Sequence, residues 1–160
     1  MKPITVKHIN DNATPRATIN GFVAGTKVLT LDGELPVEFL NTGDRVITRD
    51  SGMAVIRNIR THKTRTAAIS IAAGSLGHTR PDADMVLPAD QKVLVRDWRA
   101  EALFGEKQAL VPISRLVDGQ YVRALGEVEL TVYELEFDAD HVIYAGGMEL
   151  EAEARVTEDA

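Results

Sequence analysis

Apolar positions come in short runs along this chain, and nearly every run stops at a glycine or an aspartate. The clearest block is Gly21 to Thr48. Its run Thr26-Lys27-Val28-Leu29-Thr30-Leu31 is β-branched and apolar and closes at Asp32-Gly33, the dipeptide that best tolerates the positive φ values of a tight hairpin turn. In Pro36-Val37-Glu38-Phe39-Leu40 the apolar Val37 and Leu40 lie three apart, on one side of a single helical turn. Asn41-Thr42-Gly43-Asp44 stops that turn before a further strand, Arg45-Val46-Ile47-Thr48. The predicted order is strand, Asp-Gly turn, helical turn, Gly-Asp, strand.

The same habit continues downstream. Arg49 to Gly52 is a turn, Met53 to Thr61 a strand, Thr66 to Ala73 another apolar run, and Ser75 to Asp84 a loop by its Gly, Pro and charge content. Val93 and Val95 alternate against Leu94 in the strand Lys92 to Arg96. Asp97 is placed to cap a short helix, Trp98 to Phe104, that Gly105 ends. The lone Trp98, sharing that helix with Leu103 and Phe104, reads as a core residue rather than an exposed anchor for a partner. A second helical turn is predicted at Ile113 to Val117, then an alternating strand from Val128 to Phe137 and a last strand from His141 to Ala145. Glu149 to Ala160 reads as an acidic, frayed end, and residues 1 to about 20 as a loosely held arm. Nine to eleven short strands with two short helical turns predict an all-β domain rather than an alternating α/β one.

Composition narrows the function classes. A length of 160 residues suits one domain, and aromatics at 5% leave the core to Val, Ile, Leu and Ala. A net charge of -6, with 18 Lys and Arg gathered into no basic stripe, argues against nucleic acid. No apolar run approaches the roughly 18 residues of a membrane span, and the N-terminus lacks the apolar stretch of a secretory signal. The expectation is therefore a soluble chain, compatible with the cytoplasm, without membrane partner. The absence of Cys removes thiol nucleophiles and thiolate metal sites, and the four His, at 8, 62, 78 and 141, have no ligand spacing. No cofactor or metal is expected.

The block Phe22, Gly25, Thr26, Asp32, Gly33, Pro36, Val37, Leu40, Gly43, Asp44 and Val46 resembles the opening of Hint domains, the all-β fold of inteins and of the autoprocessing part of Hedgehog proteins. The resemblance spans about residues 21 to 153. It divides the chain into a flexible arm (1–20), a Hint-like domain (21–153) and an acidic tail (154–160). It also implies a chemistry, in which the first residue's thiol or hydroxyl attacks the preceding carbonyl, with a His protonating the departing amide. Here Gly21 stands where the family has Cys. The segment beginning at Pro88 has Gln91 where the family has that His, and Glu134 and Asp140 stand where further His are common. His141 is one residue off, which on a strand sends a side chain to the opposite face.

Glycine has no nucleophile and glutamine exchanges no proton near neutral pH. The expected function is accordingly a degenerate Hint domain, inactive in thiol-dependent cleavage or splicing and acting as a structural module or one that binds an as yet unknown protein partner. The alternative is residual cleavage or rearrangement at Asn20-Gly21, the dipeptide most prone to succinimide formation; turn chemistry explains the same pair. Thr18 and Thr26 are the nearest substitute hydroxyls, and Thr26 reads as structural. A hydrolytic or metal site from Asp82, Asp84, Asp90, Asp138 and Asp140 with His78 and His141 lacks any spacing that forces these residues together.

Overall fold

Turn residues at the end of each apolar run divide the chain into strands, and the computed structural model describes residues 7–8, 20–77 and 80–153 of it. The arm, the acidic tail, Thr18 and His78 lie outside the described residues, as far as the first is not Lys7, His8 or Asn20. Thirteen strands are described: β1 Lys7–His8, β2 Phe22–Val23, β3 Lys27–Thr30, β4 Gly33–Pro36, β5 Arg45–Thr48, β6 Gly52–Val55, β7 Asn58–Ile71, β8 Met85–Pro88, β9 Lys92–Val95, β10 Ala109–Pro112, β11 Val122–Glu136, β12 His141–Ala145 and β13 Met148–Ala152. One α-helix, α1, covers Trp98–Phe104. The larger sheet runs β1-β10-β9-β13-β12-β3-β5-β6 with β4 added on β3, and the smaller runs β2-β11-β7-β8. The main core of Phe22, Val28, Val46, Ile71, Leu87, Ile143 and their neighbours draws on both sheets, and Leu94, Leu110 and Val142 form a small second cluster.

Local signals produce the predicted first block. Asp32-Gly33 turns β3 onto β4 in register, Thr30 opposite Gly33 and Lys27 opposite Pro36. Val37 and Leu40 bury the inner side of the 3-10 turn Val37–Phe39. Asp97 caps α1 by accepting the Arg99 N–H at 3.0 Å, and Gly105 closes it in the left-handed region at φ 72°.

Three expectations fail, each for a physical reason. Not all strands are short: β7 and β11 have 14 and 15 residues and pair along their length from Asn58–Glu136 to Val122–Ile71, with one bulge at Ala124/Gly126. The polar stretch His62 to Arg65 falls between two predicted runs, yet ladder hydrogen bonds sustain a ribbon whose side chains stay largely in water. Trp98 is not core. It is 67% exposed, and α1 buries Ala100 instead. Finally, Glu149 to Ala152 is no frayed end but most of β13, which lies between β9 and β12 and is buried at all five positions.

Burying two glutamates in β13 requires partners. Glu149 is 2% exposed and meets three arginines from separate segments: Arg49 at 3.1 Å, Arg80 at 3.1 Å and Arg96 at 2.6 Å. Those guanidinium groups turn an acidic residue into an interior one.

Candidate functional site

The turn between β8 and β9 sets the first part. Gln91 donates its backbone N–H to the Pro88 carbonyl at 3.0 Å, which sends its side chain inward, where it is 1% exposed. Its Nε2 donates to the Glu151 carbonyl at 2.7 Å and to the Lys92 carbonyl at 3.0 Å. With both amide hydrogens committed, Oε1 accepts the Gly21 N–H at 2.8 Å. One neutral side chain thus ties β13 and the start of β9 to the nitrogen of the Asn20–Gly21 peptide bond.

β2 brings that bond to β11. Phe22 pairs with Tyr133 and Val23 with Val132, and the Phe22 ring is buried in the core. This leaves Gly21 against the ribbon at φ 137°, a backbone state that L side chains rarely adopt. A Cβ there would sit 2.6 Å from Val132 Cγ1, 2.9 Å from the Tyr133 carbonyl oxygen and 3.3 Å from Glu134 Cγ. The volume a first-residue side chain would occupy is filled by its neighbours. On the other side of the bond, Asn20 Nδ2 donates to Glu153 Oε1 at 3.2 Å.

Of the positions singled out in the sequence, Gly21, Gln91 and Glu134 come together, and Pro88 shapes the turn that aims Gln91. Asp140 belongs to the adjoining acidic group described next. His141 does not join them: its Nδ1 lies 2.8 Å from Asp50 Oδ2 at the β5–β6 turn, with the ring edge-on to Phe137. The carboxylates considered for a metal site are dispersed, Asp84 accepting the Ala73 N–H and Asp138 holding Arg57 through two 3.0 Å contacts. Among the described residues no group of three or more potential ligands assembles. Thr26 acts through its backbone, donating to Val23 and accepting from Val37.

The structure adds residues that sequence reasoning missed. His62 Nε2 is 2.8 Å from Glu134 Oε2, a neighbour supplied by the β7–β11 register. No local signal marks His62, because the pair is 72 residues apart in sequence. Glu151, whose carbonyl receives Gln91, carries the second unforeseen group. Burial, then the charge of Glu153, and also that of Asp140, push its carboxyl up to about 7, with Lys92 opposing.

That shift has a sign. The folded chain holds the proton to higher pH than the unfolded chain, whose carboxyl titrates near 4.5. Stability is therefore greatest below pH 4.5 as far as Glu151 is concerned, and is lost as pH rises through 7. Glu151→Gln is expected to change stability little at pH 5 and to raise it at pH 8 by up to ~3 kcal/mol. Urea denaturation of both proteins at the two pH values measures this, and an equal difference at both would count against a buried titration at Glu151.

Two sheets packed over a shared main core, with one short helix among thirteen described strands, place the chain in the intein-like class of all-β folds. The family profile of the Hint domain matches residues 20–156, and the chain belongs to the Hint domain family. Solved structures agree on the fold. The chain is similar to a bacterial intein-like domain from Clostridium thermocellum, with a TM-score of 0.58 and 18% identity over 85% of this chain and 99% of that one. It is also similar to the Msm DnaB1 intein splicing domain, with a TM-score of 0.54 and 16% identity over 82% and 98%. The gp41-1 intein gives a TM-score of 0.51 and 14% identity over 81% and 96%. No curated protein matches the sequence. Among the described residues no helix is long and apolar enough to cross a membrane.

Proposed function

We propose that this Hint domain has lost thiol-dependent self-cleavage and splicing and serves as a structural or partner-binding module. The observation that carries the reading is the 2.8 Å contact from the Gly21 N–H to Gln91 Oε1, made where no side chain fits on residue 21. Peptide cleavage at this bond needs an attacking atom and a proton for the departing Gly21 nitrogen. Gly21 supplies no attacking atom. Gln91 accepts a hydrogen bond from that nitrogen and has no acidic proton to give it.

The same contacts argue against the asparagine route. Succinimide formation needs the Gly21 nitrogen to attack the Asn20 side-chain carbonyl with loss of ammonia; chain cleavage needs Asn20 Nδ2 to attack the Asn20 backbone carbonyl. The Gly21 N–H is engaged by Gln91, and Asn20 Nδ2 by Glu153. The folded chain, aged at mildly alkaline pH, is expected to remain one species by intact mass, with no isoaspartate at residue 20. The same chain held in denaturant is expected to convert at least ~10-fold faster, since a hydrogen bond to lose and a fixed backbone to distort add roughly 1.5 kcal/mol or more to the barrier. A fragment ending at Asn20 in the native sample would reverse the reading in favour of residual autoproteolysis.

A further inference from the structure

The arginines around Glu149 do more than neutralise it. Arg49, Arg80 and Arg96 meet Glu149, and Arg99 meets Asp97 alongside and the Ser75 carbonyl at 3.0 Å. Four guanidinium groups facing two carboxylates leave a local surplus of two positive charges in a chain whose net charge is -6. Arg80, Arg96 and Arg99 line a small cleft of about 30 Å³, open to solvent, whose walls include Val93, Val95, Leu116 and Met148 together with Asp97 and Glu149. Their side chains remain 36%, 30% and 21% exposed. Glu149 takes one nitrogen of Arg80 and two of Arg96, fewer than a guanidinium fork offers.

Behind Arg99 stands Trp98, 67% exposed, with the Arg99 guanidinium 4.8 Å from its ring centroid. An aromatic face braced by a cation and set beside an arginine-lined cleft is the arrangement that hot spots use, an apolar anchor next to paired charge.

The geometry points to a docking site for an acidic segment of a partner protein, with one carboxylate side chain entering the cleft against Arg80, Arg96 and Arg99 and an apolar neighbour lying on Trp98. Planar guanidinium forks match a carboxylate two atoms to two, whereas Glu149 meets Arg96 Nε and Nη2 through the single oxygen Oε1. The apolar walls accept the methylene stem of such a side chain. The site names a partner chemistry for the binding half of the proposed function and rests on that reading. It uses none of the residues at Asn20–Gly21, so failure of one is distinguishable from failure of the other.

Trp98 is the sole Trp, so its fluorescence reports the surroundings of Arg99. The full chain is titrated at low salt with an acetylated and amidated Leu-Glu-Glu-Leu peptide, with its Leu-Gln-Gln-Leu counterpart, and with inorganic phosphate. A saturable change with the Glu peptide alone is expected, weakened about 5-fold or more by Arg99→Gln, by Arg80→Gln and by 0.5 M salt, roughly the loss of one charge-assisted contact. Backbone amide spectra of both variants check that they fold, and the shifts of Arg96 and Met148 in the parent chain report the cleft independently of the ring. No response up to about 5 mM peptide, equal binding of the Gln peptide, or phosphate acting at lower concentration through the same arginines each overturns the assignment, the effective ceiling being set by weak affinities near −3 kcal/mol. The intact-mass test at Asn20–Gly21 stands whichever result is obtained.

Discussion

Gly21→Cys is expected to yield a chain that is less stable by about 2–6 kcal/mol and is still uncut. The cost has two sources. Residue 21 sits at φ 137°, and holding an L side chain there strains the backbone by roughly 1–3 kcal/mol. The new Cβ would lie 2.6 Å from Val132 Cγ1 and 2.9 Å from the Tyr133 carbonyl oxygen. Valine can rotate at a cost, but a strand carbonyl in the β2–β11 ladder cannot move without breaking pairing, and overpacking of this kind costs about 1–3 kcal/mol more. Val132→Ala in the Gly21→Cys background removes the first clash and leaves the second. It is therefore expected to recover only part of the loss. Chemical denaturation measures the stability series, and intact mass with added thiol measures cleavage. Retention of parental stability in Gly21→Cys would show that residue 21 has room the contacts deny; thiol-induced cleavage would show that Gln91 does not block proton delivery.

The second large effect is expected at Glu149. Replacing it by Gln keeps the shape of β13 while removing the charge that Arg49, Arg80 and Arg96 share. Three guanidinium groups would then crowd one another beside a neutral amide. Breaking a buried pair from one side costs about 3–5 kcal/mol, and the partial exposure of the arginines, which lets water and salt screen their repulsion, reduces this to about 2–4 kcal/mol. The loss should shrink as salt rises. A Glu149→Gln protein as stable as the parent at low ionic strength would show that the three arginines are solvated well enough without the carboxylate. Conversely, Arg49→Gln, which removes only one of three partners, is expected to cost less than half as much.

The parts of the fold that depend on neighbours in sequence are legible in the chain itself. Asp32-Gly33 specifies a turn, Asp97 and Gly105 mark both ends of α1, and Val37 with Leu40 gives the inner side of a 3-10 turn, because each of these acts within about five residues. What failed involves residues far apart. The acidic pattern of Glu149 and Glu151 looks like solvent-facing chain until three arginines from elsewhere are placed around the first. Trp98 looks like core until the packing of α1 is known to rest on Ala100. His62 to Arg65 looks like a gap until the register with β11 supplies its ladder.

The site divides in the same way. Gly21, Gln91 and Glu134 were identified through the family resemblance, and the structure brings the three to one place. The contact between Gly21 and Gln91 spans 70 residues, and the lack of room at residue 21 depends on Val132 of β11. No sequence period contains either fact. His62, whose neighbour Glu134 is set by ribbon register alone, was out of reach for the same reason.

The position of β13 bears on how this molecule comes into being on the ribosome. Its five residues fill the gap between β9 and β12, so a nascent chain that stops short of Met148 presents two raw strand margins with nothing between them. The larger sheet cannot close until Met148–Ala152 has been made, and both margins stay open to wrong pairing for as long as that strand is missing.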